Sequence, residues 1–404
     1  MKRRISFYSF MVITALFLGM TLFMNSGAIN ASAQLETKNY NYYYEHLDTS
    51  DKEGNQVEYE LAREFYQALE SINESGAFKT GKVQYSLSSI LTSAEIKAWV
   101  MDGNLDIPKA FSAARDSFLM DHPELFYIDM YKLTISAARN NGVYSAFIDS
   151  GREANVYRDN SFKSETEVNQ AIGQYNTAVS KIVKEAKARV VNTENKLDYS
   201  LAVAVNEIIA KNTHYDYGTY NEGVNNGNAS TASMAFTSYG ALVYEQAVCS
   251  GFSFAYKAIL DQLEIPCVVV SGYSIGKDSE GNDTGNNVGH SWNYVYLETT
   301  KKEVVTDDNQ PKALADEPQG AWFAFDTTWN SMRSDRNVFT AMGYIAASEQ
   351  HMPDGIISSS KYALTYPILS SLSYGQAINP DDMNLELAMG GFKFQSIYTY
   401  TSSG

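Results

Sequence analysis

The 404-residue sequence predicts an α+β protein. In it, a helix opening at Cys249 packs on an antiparallel sheet carrying His290 and Asp326, behind a mainly helical N-terminal region. Three observations predict this. Apolar residues recur at helical spacing over much of the first half. The period switches to strict alternation on both sides of Asn140-Asn141-Gly142. Beyond Pro266 three short apolar runs, each too short for a buried helix, follow a helix whose first residue is a cysteine. Composition agrees: 44% of residues are apolar and 13% aromatic, against 19% charged, which excludes a globally disordered chain. The formal charge of −16 and the lack of a basic stripe exclude a nucleic-acid footprint and oppose docking on anionic membranes.

The elements follow in chain order. Residues 1–33 read as a secretory signal: Lys2, Arg3 and Arg4, then the apolar run 11–24, then Ala31-Ser32-Ala33 as a cleavage site. An exported chain, with no membrane attachment after cleavage, is therefore expected. Residues 34–160 form the N-terminal helical region with a β-hairpin. Leu61, Phe65, Tyr66 and Leu69 mark a helix over 59–71, a second opens at Ser93, and a third runs over 108–120 with Pro108 near its start. Strands over 131–135 and 143–148 flank the Asn-Gly turn.

The core is expected over 161–350. Ser164-Glu165-Thr166-Glu167 fits a capping box for a helix reaching Val190, and another helix covers 197–209. The Asn- and Gly-rich stretch 221–230 predicts a loop, 234–244 a helix, and 249–263 a mostly buried helix ended by Ile265-Pro266. Strands are expected over 267–273, 290–297 and 322–326, with a polar loop over 277–287. Residues 351–404 read as an extension of short strands and turns.

The chemistry gathers on these last elements. A thiol at a helix N-terminus meets free N–H groups and the positive end of the dipole, which favour thiolate, so Cys249 is a candidate nucleophile. As a strand, 290–297 puts His290, Trp292, Tyr294 and Tyr296 on one face. Asp326 ends the next strand. Packing can bring the three together as nucleophile, base and the carboxylate that fixes the base's tautomer. Taken alone, Asp326 reads equally as a carboxylate capping a turn, and Trp292 and Trp329 as cleft walls or ordinary core. The Cys249 N–H is the natural first oxyanion donor, with Gln246 or Tyr239 as candidates for the second. Cys267 reads as a core thiol. A Cys249–Cys267 disulfide would silence the nucleophile and is discounted. His214 reads as structural or cleft-lining, and His351 as a surface residue.

Val248-Cys249-Ser250-Gly251-Phe252-Ser253-Phe254-Ala255, Glu264-Ile265-Pro266, His290-Ser291-Trp292-Asn293 and Asp326-Thr327-Thr328-Trp329 occur in the order typical of the transglutaminase-like superfamily, which the chain resembles over about residues 200–350. Asp121-His122-Pro123-Glu124-Leu125-Phe126 and Ser238-Tyr239-Gly240-Ala241-Leu242 resemble flanking segments of secreted bacterial members. Two positions depart from the pattern: Ser250, where an acidic residue is common, and Glu264, where glycine is usual. The resemblance implies a papain-like core and a Cys-His-Asp triad. It leaves the reaction open, since members include crosslinkers, peptidases, deamidases and inactive scaffolds.

Rival constellations are weaker. Gly272-Tyr273-Ser274-Ile275-Gly276 spells a nucleophile elbow but leads into a loop instead of a helix. No C-x-x-C or H-E-x-x-H pair supports zinc, and neither 278–281 nor 379–382 has the spacing of a calcium loop. No metal or cofactor is expected. The sequence thus predicts a secreted cysteine-dependent acyltransferase or hydrolase. Its partners would be protein or peptide substrates, cell-wall peptides among them. A crosslinking transglutaminase and a non-catalytic, wall-associated peptide-binding scaffold are the alternatives.

Overall fold

A computed structural model of the chain describes residues 39–47, 59–103, 106–158, 161–190, 197–226, 233–277, 283–299, 306–307, 310–311, 320–331, 357–358, 366–367, 369–370 and 374. The expected signal segment, His351 and the loops 278–281 and 379–382 lie outside the described residues.

In the N-terminal region, helices Tyr59–Glu74 and Asp106–Asp121 pack face to face, with the Phe65 and Phe111 rings edge-on at 5.9 Å. Helix Ser93–Asp102 opens at the residue the sequence signals. Its cap is Thr92, reciprocally bonded with Glu95, while the Ser93 hydroxyl accepts from the Tyr144 N–H. The hairpin pairs Thr134–Asn140 with Val143–Asp149. Asn141 and Gly142 both have positive φ (48° and 84°), as a two-residue turn between twisted strands demands. The first strand starts later than expected, because Met130–Lys132 is a single 3₁₀ turn capped by Asp129.

The next segment confirms two helices, Glu165–Arg189 and Leu197–Asn212. At the first, Ser164 accepts from the Glu167 N–H, but the Glu167 carboxylate turns to the Lys163 N–H, so the box is one-sided. Two expectations fail. The loop expected from residue 221 is helical to 226, within Tyr217–Asn226. Its initiator is Asp216, whose carboxylate takes the Thr219 N–H and hydroxyl, and local capping overrides the glycine and asparagine content. The helix expected over 234–244 is broken at Thr237 into a 3₁₀ turn, Met234–Phe236, and a short helix, Ser238–Leu242. Thr237 caps the second piece and bonds back to Met234 O.

The central sheet has four antiparallel strands in the order Gly320–Phe325, Asp283–Glu298, Cys267–Lys277, Ile357–Ser358. Of the polar loop expected over 277–287, the described residues 277 and 283–287 are strand, with Ile275 paired to Asn287 and Lys277 to Asp283. Helix Cys249–Gln262 lies against one face of this sheet, and Tyr256, Ile259, Val295, Leu297, Phe323 and Phe325 are buried there in a cluster that runs on into the N-terminal helices. The opposite face buries Val268, Val270, Trp292 and Ala324 under two peripheral segments. One is the tyrosine-rich stretch 39–47, in which Tyr43 donates to Val269 O. The other supplies Tyr366, whose hydroxyl donates to Ser271 O, and Leu369.

Candidate active site

The start of helix Cys249–Gln262 is shaped by its neighbours. Val248, the N-cap residue, is extended and offers no side-chain acceptor, so no side chain caps the first-turn N–H groups. Its own N–H donates to Ala235 O at 2.9 Å. Gly251 is needed one turn in: a Cβ there would stand 2.3 Å from Ala235 O and 3.0 Å from Thr237 O. The 3₁₀ turn can therefore press against the helix only because position 251 has no side chain. Ser250 donates to Phe236 O and Ser253 to Cys249 O.

The second side of the site is fixed by Asn293, the last residue of the His-x-Trp-Asn run. Its amide reaches Ser253 O at 3.0 Å on helix Cys249–Gln262 and Val268 O at 3.3 Å on the adjacent strand. One buried side chain thus sets the height of the helix above the sheet. Sequence reading included Asn293 in a motif and gave it no role.

His290 lies near one end of this sheet, 8% exposed. Its Nε2 is 2.6 Å from Asp326 Oδ2, and Cys249 is the other group that acts on the ring. With Nε2 committed to the carboxylate, Nδ1 is the nitrogen left for the thiol. Burial opposes charge on the ring, but Asp326 and then Cys249 outweigh it and push the imidazole up to about 10. The ring lies nearly parallel to Trp329, with centroids 4.7 Å apart, and to Trp292 at 5.9 Å.

Asp326 uses both carboxylate oxygens. Oδ2 serves His290, while Oδ1 accepts from the Trp329 N–H at 2.9 Å, capping helix Thr327–Ser331. That short helix is held from behind by Asn206, fully buried on Leu197–Asn212. Its amide donates to the Thr327 hydroxyl, and its carbonyl accepts from Asn330, both at 2.8 Å. Nothing local in the sequence marks Asn206, since its partners lie over a hundred residues away.

The other sequence candidates divide. Trp329 is partly buried beside the imidazole. Trp292 is 1% exposed in the outer-face cluster and walls no open cleft. Tyr239 is buried, stacks on Phe126 and donates its hydroxyl to Gln174, so its donor is spent on another helix. Gln246 is exposed, three residues before Cys249, in a two-residue parallel ladder with His214. The hydroxyl that reading missed is Tyr215. It pairs in that ladder with Ala247, and after burial the charge of Cys249 is the largest influence raising its pKa. Cys267 is a fully buried free thiol pushed up by burial, and Cys249 is free and partly exposed. His214 is exposed, and Ser274 sits inside a strand that continues to Lys277 without turning into a helix.

Comparison with known proteins gives one family-model match and two distant structural likenesses. No curated protein matches the chain in sequence. Among solved structures, a TGase is 17% identical over 49% of this chain and 46% of its own, with a TM-score of 0.24. A candidate cysteine protease from Cytophaga hutchinsonii is 15% identical over 48% of this chain and 62% of its own, with a TM-score of 0.22. The chain therefore spans less than two thirds of either. The family comparison covers the region that holds Cys249, His290 and Asp326: residues 184–327 match the model of the transglutaminase-like superfamily.

Proposed function

We propose that the protein is an exported thiol enzyme that transfers the acyl group of a peptide or glutamine amide to water through Cys249, His290 and Asp326. The observation that carries this reading is His290 held by Asp326 at 2.6 Å on one nitrogen, with Cys249 as the other group that acts on the ring. An imidazole held charged beside a thiol is the arrangement from which a thiolate attacks.

In the proposed cycle the Cys249 sulfur adds to the amide carbon, and the carbonyl oxygen becomes an oxyanion. The Cys249 N–H donates to that oxygen, and the Tyr215 hydroxyl is our candidate for the second donor. His290 gives its proton to the departing nitrogen as the C–N bond breaks, leaving a thioester and a neutral imidazole. Water then attacks the thioester, passing one proton to His290, and the acid leaves as the sulfur is restored. Asp326 keeps the ring oriented throughout. No step requires a metal or cofactor. Cys249 is partly exposed, so water has access to it. Export rests on residues 1–33 and makes cell-wall peptides and surface proteins the substrates within reach.

The test is a product analysis of wild type against Cys249→Ala on glutamine peptides and cell-wall peptides. New amino termini or ammonia release, lost in Cys249→Ala, support hydrolysis. Ammonia release with amine incorporation would replace it with crosslinking. The absence of any product, with iodoacetamide labelling no faster in wild type than in Cys249→Ala, would leave the scaffold.

A further inference from the structure

Beside Cys249 lies a cluster of tyrosines of which the proposed chemistry uses only the Tyr215 hydroxyl. The segment entering it is bonded to the chain just before the nucleophile: His214 N–H donates to Glu245 O at 2.8 Å and Asp216 N–H to Ala247 O at 2.9 Å. Tyr215 therefore stands level with Ala247, two residues short of Cys249. From Tyr215 the rings continue outward. Tyr217 meets it edge-on at 5.0 Å, and Tyr220 is tilted against it at 5.9 Å. The platform is built rigidly. Asp216 caps the helix that carries Tyr217 and Tyr220 through the Thr219 N–H and hydroxyl, and Tyr220 N–H donates to Asp216 O.

The outer end of this cluster is in water. Tyr217 is 59% exposed, among the most exposed large side chains described. A tyrosine held by a capped helix and by neighbouring rings loses little further freedom when a ligand covers it, and aromatic rings pair edge-on or offset with other rings. The ring path starts at the residue whose hydroxyl feels the Cys249 charge. A chain whose carbonyl sits at the sulfur would thus run along these rings.

We propose that Tyr215, Tyr217 and Tyr220 form one wall of the acyl-donor groove and select a peptide with an aromatic side chain next to the attacked carbonyl. This rests on the acyl-transfer reading and adds the substrate class. Tyr215 is the inner end of the wall and Tyr217 its outer, substrate-facing end.

The experiment separates binding from turnover. Cys249→Ala protein is titrated with two synthetic glutamine peptides that differ only in phenylalanine or alanine beside the glutamine. The phenylalanine peptide should bind about tenfold more tightly, which is ~1.4 kcal/mol. Adding Tyr217→Ala should remove most of that preference, whereas Tyr217→Phe keeps it, and Tyr131→Ala, at another exposed tyrosine on the distant 3₁₀ turn, leaves it intact. Equal affinities for the two peptides, no binding of either, or a preference that survives Tyr217→Ala would overturn the wall. Failure of the acyl-transfer reading looks different: the phenylalanine peptide would bind with the expected preference, and wild type would leave it unchanged.

Discussion

His122 and His290 are buried in two different regions and held charged by carboxylates, each pushed up to about 10 against the pull of burial. His122, at the end of helix Asp106–Asp121, bonds Glu124 at 2.9 Å and Glu70 at 3.1 Å and stacks on Phe118. Around it lie other buried charges. Asp121 accepts from the Tyr43 and Tyr44 N–H groups. Lys257 donates to Asp261, Tyr40 O and Cys267 O. His290 has one carboxylate, and its other neighbour is a partly exposed thiol. The difference teaches that a displaced pKa does not by itself mark a catalytic site. Every partner of His122 is a fixed structural group, and together they fasten residues 39–47 to the core. Only His290 faces a partly exposed thiol, the nucleophile of the proposed chemistry.

The largest expected effect breaks the pair apart. His290→Ala should lower the kcat of folded protein by at least about 10⁴-fold and also cost stability, because Asp326 keeps its buried charge without the imidazole. His122→Gln should leave the kcat of folded protein near normal but lose about 3 kcal/mol of stability, because the partly buried Glu124 and Glu70 keep their charge without a cation. Kinetics and urea unfolding on both variants check this. Equal loss of kcat in the two would erase the distinction.

Next comes Asp326→Asn. The amide oxygen can still accept from His290, but the negative charge that raises the imidazole is gone. We expect a fall in kcat/KM of about 10²-fold, ~2.7 kcal/mol, together with a basic limb of the pH profile that moves down toward neutrality. In wild type that limb should lie near 10, where His290 loses its proton. A basic limb unmoved by the substitution would mean that Asp326 does not set the charge of the base.

Stability should follow pH with a sign fixed by the same groups. The folded-state pKa of each histidine is raised, so its contribution is complete below 6.5 and is lost as pH rises through about 10. Asp121, raised by burial to about 6, and Asp261, raised by burial to about 7, are also protonated more readily when folded, so their contribution is lost between about 4 and 7. Thermal melting should therefore decline from pH 6.5 to 10, and His122→Gln should show a visibly shallower decline over that window. A melting temperature that rises with pH there would mean the carboxylates do not hold the histidines charged.

How much of this was legible depends on how local the cause is. Helix Cys249–Gln262, the Asn-Gly hairpin and the three strands bearing the site follow from period and turn chemistry in adjacent residues. Cys249, His290 and Asp326 were found by order and motif, since no local signal says that residues so far apart meet. Asn206, the two peripheral segments over the outer face and the commitment of Tyr239 to Gln174 were invisible, because each depends on a partner far along the chain. The misread loop over 221–226 shows the opposite error: composition was weighed, and the cap at Asp216 was not.

The smallest effect concerns a departure the sequence did display. Helix Cys249–Gln262 ends with Glu264 N–H donating to Asp261 O and Ile265 N–H to Leu260 O, both at 3.0 Å, the paired bonds of a Schellman end. That geometry puts Glu264 at φ 61°, a left-handed conformation in which a Cβ crowds the following carbonyl and which glycine adopts without that cost. Glu264→Gly should therefore stabilise the protein by about 1 kcal/mol, less whatever the carboxylate's own interaction contributes. Glu264→Ala, which keeps the Cβ, should give no such gain, so the two variants separate backbone strain from loss of the side chain. Because Asn293 holds this helix at Ser253 O near its other end, relief at Glu264 should leave the kcat of the Cys249 site unchanged. A gain in stability accompanied by altered kcat would show that strain at the helix end reaches the nucleophile.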